Sequence, residues 1–319
     1  MYQGDAIPGT GRPVEAPIGF RTAIIIPCYN EAETIGGVIA GFRAALPQAE
    51  IIVCDNNSTD ATASIAADAG AQVLRETQQG KGHAVARLFR DVEADFYVLV
   101  DGDMTYDADA APAMLSRLQS DQLDTVVAAR RGRNEGEYRF GHSFGNRLLT
   151  GCIRTLFNAQ VSDMLSGYRV FTRRFVKSFP VSAKGFEIET ELTVHMLELG
   201  VSYAEMDTRY VSRPEGSESK LNTVRDGFVI LGTIGRLLVQ ERPIKVFGTA
   251  GAVALAVATV LFLGILDDYL QTGVVNRLPT LLGSAALGLT GVISIFTGLI
   301  LAGVTTARRE VKRLAFLRL

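Results

Sequence analysis

Arg21-Thr-Ala-Ile-Ile-Ile-Pro27, followed at once by Cys28-Tyr-Asn-Glu31, is the stretch on which the fold turns. An apolar run without alternation, closed by a proline, is the pattern of a strand buried on both faces in a parallel sheet. Outward from it, apolar residues at helical spacing over Glu31–Leu46 predict a helix, and Glu50–Cys54 predicts a second strand. A second helix is expected over Ser58–Gly70, with Ser58 or Thr59 as its cap. Strands at Ala71–Leu74 and Phe96–Val100 then flank a helix at Lys81–Val92. Strand and helix alternate throughout, which predicts an α/β fold built on a doubly wound parallel sheet.

Such sheets bind ligands beyond the carboxyl ends of their strands, where loops and helix N-termini converge. That rule selects three loops: Pro27–Glu31, Asp55–Asp60 and Asp101–Asp107. In the last, Asp101-Gly102-Asp103 sends two carboxylates from the rim, hard oxygen ligands suited to Mg2+ or Mn2+. Solvated turn acids follow many strands, and turn and capping chemistry alone accounts for Asp55-Asn-Asn-Ser-Thr-Asp60; the weight lies in three polar loops sharing one edge. Gly80-Lys81-Gly82 brings a lysine to the start of a helix without the spacing of a phosphate-binding P-loop. Glu187, Glu189 and Glu191 precede a predicted helix, whose N-terminus negative side chains stabilise whether or not they do anything else.

The C-terminal part has a different character. Val246–Leu266 and Leu278–Val304 are uncharged and apolar, and each exceeds the roughly 20 residues needed to cross a hydrocarbon core of about 30 Å. A polar loop, Asp267–Arg277, separates them, and Arg308-Arg-Glu-Val-Lys-Arg313 follows the second. Positive flanks favour the cytoplasmic side, so a multi-pass inner-membrane protein with the sheet domain and both termini in the cytoplasm is expected. Val224, Phe228, Leu231 and Leu238 recur at helical spacing, with Arg225, Asp226 and Arg236 elsewhere, as in an amphipathic interfacial helix or a domain-packing one.

The resulting division is a loose tail over 1–20, an α/β domain over 21–220, a juxtamembrane helix over 221–244, a transmembrane hairpin over 246–304 and a basic tail over 305–319. The 32 basic and 34 acidic residues nearly cancel, to a net charge of -2, which argues against a nucleic-acid binder. Mean hydropathy is +0.19, a value raised almost wholly by the residues after Val246. Cys28, Cys54 and Cys152 lie far apart and read as reduced core residues, and His83, His142 and His195 show no metal-ligand spacing.

Taken together, Ile-Ile-Pro-Cys-Tyr-Asn-Glu, Ile-Val-Cys-Asp-Asn-Asn-Ser-Thr-Asp, Gly-Lys-Gly and Asp-Gly-Asp resemble the family 2 glycosyltransferases, over about Arg21 to Lys220. Within that family the chain is most similar to dolichol-phosphate mannose synthases and bacterial polyprenyl-phosphate glycosyltransferases, through Arg130, Ser166-Gly-Tyr-Arg169, Arg213 and Ser219-Lys220. The resemblance implies a GT-A, Rossmann-like domain followed by two transmembrane helices. It implies that Pro27, Tyr29, Asn30, Glu31, Asp55 and Lys81 line the nucleotide, and that Asp101 and Asp103 handle metal and diphosphate. Arg130, Arg169, Arg213 and Lys220 would grip phosphates, a task for which guanidinium forks are suited, and Glu189 would border the acceptor. Two positions depart from the pattern: Asn56 replaces the usual second Asp, and Thr105 replaces a Gln after the Asp pair. The partners so implied are a UDP- or GDP-sugar, a polyprenyl phosphate and a lipid bilayer; a homo-oligomer is compatible with the sequence.

Sugar transfer to a phosphate monoester needs no general base, because a second pKa of about 6 leaves the acceptor mostly dianionic at neutral pH. The resemblance implies metal-dependent, inverting chemistry, with direct attack by lipid phosphate on the anomeric carbon. A processive polysaccharide synthase is disfavoured, since the chain has no tryptophan for the Gln-x-x-Arg-Trp motif of those enzymes. A soluble or protein acceptor is the alternative within the class, and a catalytically silent membrane scaffold the alternative outside it. Retention of both aspartates argues against the scaffold, and two spans without intramembrane charge argue against a transporter.

Overall fold

The computed structural model describes residues 19–131, 150–151, 153–154, 157, 161–181, 185, 187–211, 232 and 235–319. Among them, seven strands form one sheet: β1 (Thr22–Cys28), β2 (Glu50–Asp55), β3 (Gln72–Arg75), β4 (Phe96–Leu99), β5 (Thr125–Arg131), β6 (Arg169–Thr172) and β7 (Tyr203–Arg209). Their order is β3-β2-β1-β4-β6-β5-β7. The apolar run is an interior strand buried on both faces, as expected: Ile25 pairs in register with Ile52 of β2 and Leu99 of β4, both parallel, and Ala23 to Ile26 are wholly buried.

The sheet is mixed, a correction to the expected all-parallel one. β6 runs antiparallel to both β4 and β5, while β7 is parallel to β5. A strand's direction depends on the connection that delivers it, and the chain between β5 and β6 is long enough to return in either sense. Nothing in Arg169-Val-Phe-Thr172 encodes which.

Helices α1 (Ile35–Ala45), α2 (Thr62–Asp68), α3 (Lys81–Asp91), α4 (Ala110–Ser120), α5 (Arg173–Ser178) and α6 (Ile188–Leu199) complete this unit. Ile35, Ile39 and Phe42 of α1, with Met114 and Leu118 of α4, pack on the face presented by Ile24, Ile26, Val53 and Val98. On the other face α3 lies against β1 and β2, beside stacked Phe171 and Phe175. Both faces are thus covered, which accounts for strands that are apolar at successive positions. Cys28 and Cys54 are buried free thiols, and burial pushes that of Cys54 up to about 12; Cys152 lies outside the described residues.

A second compact unit holds the long apolar helices. A π-helical turn, Ile244–Gly248, leads into α7 (Thr249–Thr272), and α8 spans Leu278–Leu317. The polar connection is shorter than expected, because α7 continues through Asp267 and Asp268 to Thr272 and stops where Gly273 turns left-handed at φ 71°. The apolar windows have mean hydropathy 2.3 and 2.1, and 17% and 11% of them are buried. Both helices are long and apolar enough to cross a membrane. A soluble core would cover such side chains, yet Val260 is 70% and Ile300 67% exposed. At about 60 Å, the 40-residue α8 outruns a hydrocarbon core of about 30 Å, and its continuation carries Arg308 to Arg313.

Within this unit the two helices touch at glycines: a Cβ on Gly251 would lie 2.6 Å from the Gly291 carbonyl oxygen. Near the opening of the hairpin, the Glu241 side chain is 1% exposed and pairs with Arg308 at 2.6 Å and with Arg309. Residues 150, 151, 153, 154 and 157 are helical and group with this unit, outside the boundary expected from sequence. Of the expected juxtamembrane helix, Val224, Phe228 and Leu231 lie outside the described residues; 235–241 is helical.

Truncating Glu241 removes a buried carboxylate that both guanidinium groups share. Breaking a fully buried pair costs about 3–5 kcal/mol; with both arginines 37% exposed, Glu241→Ala is expected to cost about 1–3 kcal/mol, seen as a lower thermal midpoint in detergent. Adding Arg308→Met and Arg309→Met is expected to regain part of it.

Candidate active site

The three loops singled out from sequence meet at the carboxyl edge of β1, β2 and β4, and hydrogen bonds tie them together. Asn30, left-handed at φ 51°, accepts the Thr59 N–H at 2.8 Å, while its own N–H donates to Ser58 Oγ at 3.0 Å. The Glu31 N–H donates to Thr62 Oγ1 at 2.8 Å. Thr34 Oγ1 donates to the Gly102 carbonyl at 2.6 Å, joining the first loop to the Asp101–Asp103 turn. These contacts explain two shifted boundaries. Glu31 to Thr34 form a turn, with the Glu31 carbonyl accepting the N–H groups of Thr34 and Ile35, so α1 starts at Ile35. Ser58 serves the loop instead of capping α2, and Asp60 Oδ1 accepts the Thr62 N–H at 3.0 Å.

Asn56 is 2% exposed. Its amide donates to the Gln78 carbonyl at 2.6 Å and its oxygen accepts the Gly80 N–H at 2.6 Å. An amide supplies a donor and an acceptor at once, which an ionised carboxylate cannot do. The departure at this position therefore has a local reason: Asn56 staples the β2 turn to the segment leading into α3. Asp55 is also buried, and its Oδ1 accepts the Ser58 N–H. Pro27 lies within the buried stretch of β1, which ends at Cys28, and Tyr29 is half-buried at the rim.

Asp101 and Asp103 sit in different surroundings. Asp103 is 5% exposed and its Oδ1 accepts the Thr105 hydroxyl at 2.6 Å. Asp101 is more open and pairs with Lys81 at 2.5 Å, while Lys81 also pairs with Glu189. Burial disfavours the Lys81 ammonium, but the two carboxylates outweigh it and hold its pKa well above the ordinary lysine range. Gly167 packs against Asp101 so closely that a Cβ there would lie 3.0 Å from Oδ1 and nearer still to Oδ2. The Gly167 N–H donates to Tyr106 Oη at 2.9 Å.

The arginines divide. Arg130, at the end of β5, forks onto Asp163 at 2.6 and 2.7 Å and lies over the Tyr210 ring. Arg169, expected to grip phosphate, is 1% exposed. It donates inward to the carbonyls of Ser166, Met164 and Glu189 and to Thr193 Oγ1. That geometry makes it a brace joining β6 to α6, a correction forced by burial. Arg213 and Lys220 lie outside the described residues. Sequence inspection missed Asp163, Tyr106 and Glu205, whose carboxylate accepts the Ser162 N–H at 2.9 Å. Asp163 stands three residues before the Ser-Gly-Tyr-Arg segment, but nothing local marks it as the partner of Arg130.

The glycosyl transferase family 2 model matches residues 23–179. Glycosyltransferase AglJ of Haloferax volcanii is 32% identical over 296 residues, 92% of this chain and 97% of that protein. The chain belongs to glycosyltransferase family 2. It is therefore a glycosyltransferase. An undecaprenyl-phosphate mannosyltransferase of Micrococcus luteus is 28% identical over 63% of this chain and 88% of its own. The fold is GT-A: glucosyl-3-phosphoglycerate synthase of Mycobacterium tuberculosis, solved with Mg2+ and uridine diphosphate, superposes with a TM-score of 0.56 at 23% identity, over 68% of this chain and 79% of that one.

Among the described residues no three His, Cys, Asp or Glu side chains converge on one point. From the described residues a divalent cation at this transferase's rim would take one or two carboxylates, with phosphate and water among its other ligands, as magnesium commonly does. The donor set fits: Asp101 already attracts a cation, the Lys81 ammonium.

Two substitutions check this geometry. Gly167→Ala pushes on the Asp101 carboxylate and is expected to lower transfer at least about tenfold while the thermal midpoint falls little. Asn56→Asp restores the commoner family residue yet sets a carboxylate against the Gln78 carbonyl; a loss of about 1–3 kcal/mol in denaturant unfolding is expected.

Proposed function

We propose that this glycosyltransferase moves a hexose from a UDP- or GDP-sugar onto a polyprenyl phosphate at the cytoplasmic face of the membrane. The observation that carries the proposal is the union, in one chain, of a family 2 catalytic edge with two apolar helices whose side chains point outward. An acceptor dissolved in the bilayer gives such an anchor a purpose that a soluble acceptor does not. The relative named as an undecaprenyl-phosphate mannosyltransferase supports the same acceptor class. The basic run Arg308 to Arg313 favours the cytoplasmic side for the end of α8, and with it for the transferase domain.

A divalent cation, Mg2+ or Mn2+, held by Asp101 and Asp103 supplies charge neutralisation at the departing diphosphate; the neighbour solved with Mg2+ and uridine diphosphate is in keeping with this. Pro27, Tyr29, Asn30, Glu31 and Asp55 form the nucleotide wall, and Lys81 faces the diphosphate. Arg130, Arg213 and Lys220 grip phosphate groups, and Glu189 borders the acceptor. A dianionic acceptor oxygen attacks the anomeric carbon; the bond from that carbon to the diphosphate breaks, the nucleoside diphosphate leaves, and configuration inverts. No side chain has to remove a proton. The residues instead hold two groups of phosphates together against their repulsion.

The test supplies radiolabelled nucleotide sugars to membranes containing the chain and a polyprenyl phosphate. Label is expected in the organic extract, in an acid-labile lipid, and Asp103→Ala is expected to abolish it. Label that stays in water-soluble or protein product instead favours the soluble-acceptor alternative, and full transfer by Asp103→Ala overturns the assigned role of the aspartates.

A further inference from the structure

We propose that Lys81 is a resident counter-ion that occupies Asp101 until the donor arrives, and that Glu189 is the positioning residue that receives it when it lets go. This rests on the proposed role of Asp101 toward a divalent cation and a nucleoside diphosphate. The observation is one ammonium shared by two carboxylates from separate elements. Lys81 opens α3, Asp101 follows β4, and Glu189 lies in the first turn of α6. Their side chains are 11%, 24% and 7% exposed, so the cluster is largely shielded, with Asp101 its most open member.

Among the described residues the Arg169 guanidinium stands behind Glu189, so the more open Asp101 carboxylate is where an incoming cation meets negative charge. Lys81 already lies on Asp101 Oδ1, so an incoming divalent ion competes with it for that carboxylate. An ammonium on a flexible stem can leave Asp101 without rebuilding the backbone. Leaving would normally strand a buried charge, which is costly; here Glu189 keeps hold of it. Arg169 and Thr193 fix the Glu189 backbone through its carbonyl, so this second partner stays in place. Once released, Lys81 faces the diphosphate, whose negative charge now favours both cations.

Lys81 therefore opposes the divalent ion in the absence of nucleotide and assists it in the presence of nucleotide. A lysine that merely holds the fold together moves both affinities in the same direction. Glu189 matters in the opposite sense for the bare ion, because without its charge Lys81 clings to Asp101 alone.

The experiment measures Mn2+ binding by electron paramagnetic resonance of the free ion, on the full chain in detergent, with and without saturating UDP. Lys81→Met is expected to tighten Mn2+ binding several-fold without UDP and to weaken it about tenfold with UDP, within the usual span of coupling between sites. Glu189→Gln is expected to weaken Mn2+ binding without UDP, and Lys81→Met added to it to remove that loss. Should Lys81→Met fold poorly, Lys81→Arg serves: its fork binds carboxylates more firmly, so weaker Mn2+ binding without UDP is expected. Lys81→Met that weakens Mn2+ in both conditions, or Lys81→Arg that leaves it unchanged or tighter, overturns the proposal. If the unsubstituted chain binds no Mn2+ in either condition, the metal role of Asp101 falls and this inference with it. Opposite signs without any lipid-linked product leave the inference standing and sink only the polyprenyl acceptor.

Discussion

Three elements far apart in the chain are held at one point by the ammonium of Lys81, set between Asp101 and Glu189. Without it, two carboxylates in a shielded site would repel each other, and the loop after β4 would lose its tie to α6. The neighbours are shaped around this charge. Gly167 carries no side chain where Asp101 needs room, and Arg169 is buried beneath, bracing the Glu189 carbonyl and the turn that delivers Gly167. A charged cluster is costly to desolvate, and a site that keeps one holds its charges in place before any substrate arrives.

That cluster sits where it does because of strand direction. β1, β2 and β4 run parallel and end at one edge, so the loops that follow them gather there. The Thr34–Gly102 and Asn30–Thr59 hydrogen bonds then turn three neighbouring loops into one surface. β6, entering antiparallel, starts from the same edge where β4 ends. The antiparallel strand thereby brings Asp163, Gly167 and Arg169 to a rim that a fully parallel sheet would have assembled from other residues.

The C-terminal unit answers to different physics. Its helices leave most of their apolar surface outside and meet through glycine contact and a few hydrogen bonds, such as Ser294 Oγ to the Phe247 carbonyl at 2.8 Å. In an apolar surrounding, close packing and satisfied polar groups replace hydrophobic burial as the source of association. The charge at the hairpin's open end, Glu241 with Arg308 and Arg309, lies where the sequence turns from apolar to basic.

Local pattern was enough to find the helices and strands from Thr22 to Leu99, the three rim loops, the family and the two long apolar helices. Each is written in consecutive residues: strand and helix periods, turn composition, a run of uncharged side chains. Asp101, Asp103 and Lys81 stand out as candidates for the same reason, since each belongs to a short motif beside a strand or helix end. Tertiary structure alone decided the rest. The direction of β6 depends on a long connection. The burial of Arg169 depends on α6 lying over it, and the pairing of Arg130 with Asp163 spans 33 residues. The reason for Asn56 appears only when the Gln78 carbonyl and Gly80 N–H come to face it. Sequence specifies which side chains can carry charge; which charge each one meets is a matter of distances that only the folded chain creates.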